Sequence, residues 1–233
     1  YFCQNMLERN GDSLEGKNVA VSGSGNVAIY TVEKALELGA RVLTISDSSG
    51  FIYDPDGIDA EKLEAIKDLK EVQRKRIQAY ANLFPKAEFH EGKRPWHVPC
   101  QIAFPCATQN ELNEEEAQAL LSNGLMAIAE GANMPTEPGG IRAFRDAAIL
   151  YAPGKAANAG GVAVSGLEQS QNALRLSWSR DEVDAKLKHI MRDIHEKCVL
   201  NGKQEDGTVD YVQGANLSGF IKVAEAMLAY GVV

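Results

Sequence analysis

Residues 19–28, Val-Ala-Val-Ser-Gly-Ser-Gly-Asn-Val-Ala, carry a short apolar run into a glycine turn and then into a helical pattern. That arrangement suits an anion, and a pyrophosphate in particular. Gly23 permits the tight turn, Gly25 lets backbone approach the phosphates because it has no Cβ, and Ala28 is small enough for the helix to pack closely on the strand. The N–H groups and positive dipole end of the helix opening at Asn26 and Val27 then face the anion. About twenty residues further on, Ser46-Asp47-Ser48 ends a second apolar strand, where such folds place the group that reads the adenosine ribose. A carboxylate at that position accepts from a 2′-hydroxyl and repels a 2′-phosphate, which favours NAD. Its serine neighbours can donate to phosphate, and Arg74-Lys75-Arg76 could add positive charge, which favours NADP. The basic run reads equally as a solvated helix face.

The elements that would position these residues follow from periodicity. Val27, Val32, Ala35, Leu36 and Leu38 form an amphipathic helix stopped at Gly39, and Arg41 to Ile45 is a second strand. Phe51-Ile52-Tyr53 into Asp54-Pro55-Asp56-Gly57 reads as a short strand and turn. A charged, helix-favouring stretch from Asp59 to Leu83 breaks near Asp68 to Glu71, Ala87 to His90 is a third strand candidate, and Arg94 to Pro99 is a loop by its prolines. Three strand-plus-turn units follow, Gln101 to Asn110, Met126 to Pro135 and Ile149 to Gly154, separated by helical stretches Glu114 to Ser122 and Gly140 to Asp146. This alternation predicts an α/β fold, a Rossmann-like doubly wound, mostly parallel sheet with C-terminal helices. Ligands in such sheets lie at the carboxyl ends of the strands. Thr108, Gln109, Asn110, Glu130 and Asn133, with the small residues Ala107 and Gly131 of the same turns, are therefore candidates to line a cofactor; Thr and Asn there could equally cap the next helix.

The last third is helical. Val183, Leu187, Ile190, Met191, Ile194 and Cys198 make a core-packing stripe, and Leu217, Phe220, Val223, Ala224, Met227 and Leu228 repeat the pattern. His189 and His195 are read as surface positions, and Trp96 and Trp178 as packing at domain edges. His97, Cys100 and Cys106 lack a fourth ligand, so no metal site is expected. A net charge of −8 argues against a nucleic-acid surface, no apolar run approaches the length of a membrane span, no signal peptide is visible, and four irregularly spaced cysteines read as reduced thiols in a cytoplasmic protein. Tyr1-Phe2-Cys3 opens inside an apolar pattern running to Met6 and Leu7, as though cut within a helix, so the chain is read as the C-terminal portion of a longer protein. The expected divisions are 1–17, the end of an inter-domain helix and its linker; 18–177, a dinucleotide-binding domain; and 178–233, a helical segment packed on it.

A second motif, Asn158-Ala159-Gly160-Gly161-Val162-Ala163-Val164-Ser165, sends two adjacent glycines into a helix with a hydroxyl about one turn in. Together with GSGNVA, the Ser-Asp-Ser strand end, PCATQNEL, AEGANMP and GFIKVAEAML, it makes the whole chain resemble the C-terminal cofactor domain of glutamate dehydrogenases of the NADP-using microbial type. The resemblance implies reversible oxidative deamination of L-glutamate to 2-oxoglutarate and ammonia by hydride transfer, with a homohexamer as the complete enzyme. It implies that Gly23, Gly25 and Asn26 hold the pyrophosphate, that Asn158 lies near the nicotinamide, and that Val162 and Ser165 face the substrate, Ser165 donating to its distal carboxylate. NADP members of the family carry the same Ser-Asp-Ser, so NADP is expected over NAD. The family's catalytic lysine and aspartate belong to the N-terminal domain, so no catalytic residue is assigned here. The alternatives are a related leucine, valine or phenylalanine dehydrogenase, in which an apolar residue would suit position 165, and a nucleotide-binding domain without catalysis.

Overall fold

A computed structural model describes residues 1–231. In chain order the elements are α1 (Phe2–Arg9), β1 (Asn18–Val21), α2 (Asn26–Glu37), β2 (Arg41–Asp47), β3 (Gly50–Ile58), α3 (Ala60–Lys67), α4 (Ala79–Leu83), β4 (Glu88–Glu91), β5 (Ile102–Phe104), α5 (Glu114–Ser122), β6 (Ala127–Ala129), α6 (Pro138–Asp146), β7 (Leu150–Ala152), α7 (Gly154–Ala157), α8 (Ala159–Leu174), α9 (Arg180–Gly202) and α10 (Tyr211–Tyr230). The strands form one seven-stranded sheet in the order β4-β3-β2-β1-β5-β6-β7. β2, β1, β5, β6 and β7 are mutually parallel, while β3 and β4 add an antiparallel edge. The sheet is therefore mostly parallel, as the βα alternation predicts. Strand order reverses between β1 and β5, and the crevice for a ligand opens outside their carboxyl ends.

One core lies on each face. Val19, Val21, Ile29, Val32, Ile45, Ile52 and Ile102 pack with Phe2, Met6 and Leu7 of α1 on one side, and Ala20, Trp96, Leu112, Leu120, Ile128 and Phe144 pack on the other. Several local expectations are corrected. The segment after Asp47 is one continuous nine-residue strand paired back on β2 through a tight hairpin, Asp47 opposite Gly50. The stretch 59–83 holds α3, a wide π-helical turn at Asp68–Val72 and, after an irregular segment, α4. Trp96 is not at an edge: it is fully buried, and its Nε1 donates to the Glu111 carbonyl at 3.0 Å. The apolar repeat of α10 is not core within the described residues, because Phe220, Val223, Met227 and Leu228 are all exposed. No helix among the described residues is long and apolar enough to cross a membrane.

His195 is also corrected, from surface to interior. It lies on the Met191 and Cys198 face of α9, packed edge-on to Phe2, with Nε2 3.1 Å from the Tyr211 hydroxyl. Burial, reinforced by the nearby Arg9 charge, lowers its pKa from 6.5 to about 4. The folded state thus resists the proton that the unfolded chain accepts. The resulting stability is intact above pH 6.5 and is lost as pH falls toward 4, up to about 3 kcal/mol in all. Urea unfolding at pH 7.5 and 5.0 should show a larger loss in the native chain than in His195→Gln, and equal losses would assign the effect to other groups.

Candidate functional site

The crevice is built at the junction of β1, β2 and β5. β1 runs into Ser22-Gly23-Ser24-Gly25, and α2 begins immediately, with Gly25 as its N-cap. Gly23 has φ +86°, and a Cβ there would lie 2.8 Å from the Cys106 carbonyl oxygen, so both backbone conformation and space require glycine. Gly25 is different. Its φ of −89° and ψ of −172° are open to any residue, and a Cβ would meet nothing within 4 Å. The fold itself does not need glycine at this exposed position, where the N-terminal turn of α2 points outward and leaves room for a close-lying group. Asn26 and Val27 are exposed beside it. The residues present therefore fit a dinucleotide pyrophosphate.

The ribose-reading region departs from the sequence expectation. Ser46 is buried and its Oγ accepts from Gly23 N–H at 2.7 Å, so this hydroxyl and the Gly23 amide brace the turn and do not face a phosphate. Asp47 is likewise turned inward. Its Oδ1 accepts from the N–H and hydroxyl of Ser49, and its Oδ2 from Ile77 N–H at 2.8 Å and Lys70 Nζ at 3.4 Å. Burial acts to raise this carboxyl, but those donors and the Lys70 charge outweigh it and hold it below the usual carboxylate range. Asp47 thereby ties the segment after the π-helical turn to the end of β2. Arg74, Lys75 and Arg76 are exposed on that segment, and Arg76 Nη1 donates to Ser48 Oγ at 2.5 Å. The basic run thus does reach the Ser-Asp-Ser strand end. Lys70, which the sequence reading passed over, supplies the charge that compensates Asp47.

Opposite the glycine turn, Ala107, Thr108, Gln109 and Asn110 are exposed after β5. Asn110 (φ +53°) and Met134 (φ +49°) both adopt the left-handed conformation, common in turns for asparagine and uncommon for methionine, and the Asn110 N–H donates to the Met134 carbonyl at 3.0 Å. The loops after β5 and β6 are thereby joined. Gly131 N–H donates to the Pro105 carbonyl. Glu130 is no ligand candidate: it is buried, accepting from the Tyr151 hydroxyl and Gly154 N–H, both at 2.7 Å. Asn158, between α7 and α8, donates to the Ala132 carbonyl and to Asn133 Oδ1 at 2.8 Å. A cavity of about 460 Å³ runs from Asn26, Val27, Gly131 and Asn158 back toward α1, with Gly160 and Gly161 in its wall. Val162 and Ser165 are not in that wall; they lie exposed, one turn apart, on α8. No cluster of potential metal ligands occurs among the described residues.

A doubly wound sheet with a glycine turn at its switch point and an N-terminal helix turn open to an anion is the architecture of a dinucleotide-binding domain. The chain belongs to the Glutamate/Leucine/Phenylalanine/Valine dehydrogenase family, whose profile matches residues 1–231. It is 60% identical over 232 residues to the NAD(P)-specific glutamate dehydrogenase of Xylanibacter ruminicola and 56% identical over 233 residues to the NADP-specific enzyme of Haemophilus influenzae, covering 100% of this chain and 52% of each relative. The crystal structure of Plasmodium falciparum glutamate dehydrogenase superposes with a TM-score of 0.96 at 46% identity, over 100% of this chain and 50% of that one. The chain thus spans about half the length of the relatives it matches. Relatives carrying NADP-specific and NAD-specific names are both among the matches.

Proposed function

We propose that this domain binds NADP(H) in the crevice between the glycine turn and residues 107–110, with NAD(H) the weaker ligand, and serves the reversible oxidative deamination of L-glutamate to 2-oxoglutarate and ammonia. The observation that carries the reading is the empty space over Gly25, beside an exposed helix N-terminus. The cofactor supplies the hydride-accepting carbon. The chain supplies N–H groups of Gly25, Asn26 and Val27 for the pyrophosphate, and Arg74, Lys75, Arg76 and Ser48 for a 2′-phosphate. The exposed residues Thr108, Gln109 and Asn133 face the ribose and nicotinamide side, and Asn158, braced by Ala132 and Asn133, orients the carboxamide. Calorimetric titration with NADPH and NADH tests the reading. Absence of binding by either overturns it.

Val162 and Ser165 share one face of α8, and we assign that face to the substrate of the complete enzyme, a homohexamer by the family resemblance. Ser165 would donate to the distal carboxylate of glutamate. Ser165→Ala in the complete enzyme should then lower kcat/KM for glutamate about ten- to a hundredfold, the cost of a hydrogen bond to a charged group, and spare norvaline, which has no such carboxylate. Parallel losses for both amino acids would remove Ser165 from the substrate site.

A further inference from the structure

Glu111 is 5% exposed, lies at the meeting point of three strand-end loops, and has no ion-pair partner among the described residues. The nearest candidate, Arg94, bonds Glu116 instead, at 2.8 Å. What Glu111 meets are donors. Its Oε1 accepts from the Ser22 hydroxyl and from Ala107 N–H, each at 2.9 Å. Ser22 Oγ in turn accepts from Cys106 N–H at 2.9 Å. One carboxylate oxygen therefore spans the two walls of the crevice, the glycine turn through Ser22 and the 106–110 loop through Ala107. The walls touch directly above it, where the Cys106 carbonyl and Ala107 Cα pack against Gly23. The Glu111 backbone is anchored on its own account: Trp96 Nε1 donates to its carbonyl, and its neighbours Asn110 and Leu112 donate to the Met134 and Pro135 carbonyls of the β6 loop.

A buried carboxylate with no directly bonded counter-ion is a costly way to fill space, and burial pushes its pKa up despite the Ser22 and backbone donors and the nearby Arg94 charge. An apolar side chain would fill the same volume but leave a hydroxyl and an amide unpaired, whereas an acceptor there serves both at once. The loop it holds includes the left-handed Asn110, whose N–H joins it to the left-handed Met134 of the β6 loop.

We propose that Glu111 is a positioning residue for the cofactor: its carboxylate sets the separation of the glycine turn from the 107–110 loop, and so the width of the crevice in which the dinucleotide lies. The inference rests on the reading of that crevice as the NADP(H) site. Amide oxygen can replace the carboxylate oxygen as acceptor, so Glu111→Gln should keep NADPH affinity within about threefold of the native chain, whereas Glu111→Ala should weaken it at least about tenfold. Ser22→Ala, which removes only the link to the glycine turn, should weaken binding in the same direction and serves where Glu111→Ala does not fold. Binding is measured by NADPH fluorescence below the melting temperature of every variant, with melting curves alongside. Native affinity in folded Glu111→Ala, or in Ser22→Ala, would overturn the proposal by reducing Glu111 to a structural residue. Equal weakening in Glu111→Gln and Glu111→Ala would overturn it by showing that charge, not acceptor geometry, matters. Failure of the native chain to bind NADPH or NADH would instead sink the underlying crevice assignment.

Discussion

Gly25→Val is expected to reduce NADPH affinity by at least about a hundredfold while lowering the melting temperature of the chain by no more than about 4 °C. The two halves of this expectation have separate causes. The loss of stability stays small, because Gly25 already has extended backbone and an open Cβ position, so only glycine's advantage over valine as a capping residue is forfeited, about 1 kcal/mol. Affinity is lost because a branched side chain fills the space over the first turn of α2 and holds the pyrophosphate away from its N–H groups. Each hydrogen bond to a charged group is worth about 1.5–3 kcal/mol, so losing two amounts to about 3–6 kcal/mol, or a hundredfold and more. Calorimetry against NADPH with a parallel melting curve decides it. Native affinity in the variant would place the dinucleotide elsewhere, and a melting temperature lowered well beyond that limit with lost binding would make Gly25 a requirement of the fold instead.

Replacing Arg74, Lys75 and Arg76 together by neutral residues is expected to lower NADPH affinity about a hundredfold and to change NADH affinity less than about threefold, because at least one of the three makes a charge-assisted bond to a 2′-phosphate and one or two such bonds, at about 1.5–3 kcal/mol each, amount to that factor. The structure gives this run its place beside Ser48, through the Arg76 bond and through Asp47, which holds Ile77 N–H. Asp47 itself has both oxygens committed within the protein, so the carboxylate that would favour a 2′-hydroxyl is neutralised by Lys70 and its donors. An unchanged NADPH/NADH ratio in the triple variant would return the run to the status of a solvated face.

The parallel strands, the glycine turn and the α/β class were legible because each depends on residues adjacent in sequence. The inward bonds of Ser46, Asp47 and Glu111 were not. A polar residue at a strand end has the same sequence signature whether it faces a ligand or braces a neighbouring turn, and the deciding partner is remote: 23 positions away for Ser46 and Gly23, and 89 for Ser22 and Glu111. His195 was nearer to reach. It shares the stripe of Met191 and Cys198 at spacings of four and three, and that phase, weighed above the polarity of imidazole, would have buried it. The apolar repeat of α10 shows the converse limit, since periodicity marks a face to be covered without naming what covers it.

The four buried cysteines give the chain a chemical memory of its own motions. Burial pushes the Cys3, Cys100 and Cys106 thiols up to about 12 and Cys198 up to about 11, so almost no thiolate exists at neutral pH and little of any sulfur is presented to a reagent. Each sulfur therefore waits on motion in its own surroundings, Cys3 and Cys106 in the walls of the cavity and Cys100 and Cys198 in closed packing. Cys106 sits in the crevice wall after β5, Cys3 on the buried face of α1, Cys198 beneath the start of α10 and Cys100 in the core on the opposite face of the sheet. A single chain thus holds four clocks, started by different local openings, and a dinucleotide that locks the crevice would slow the one at Cys106 most.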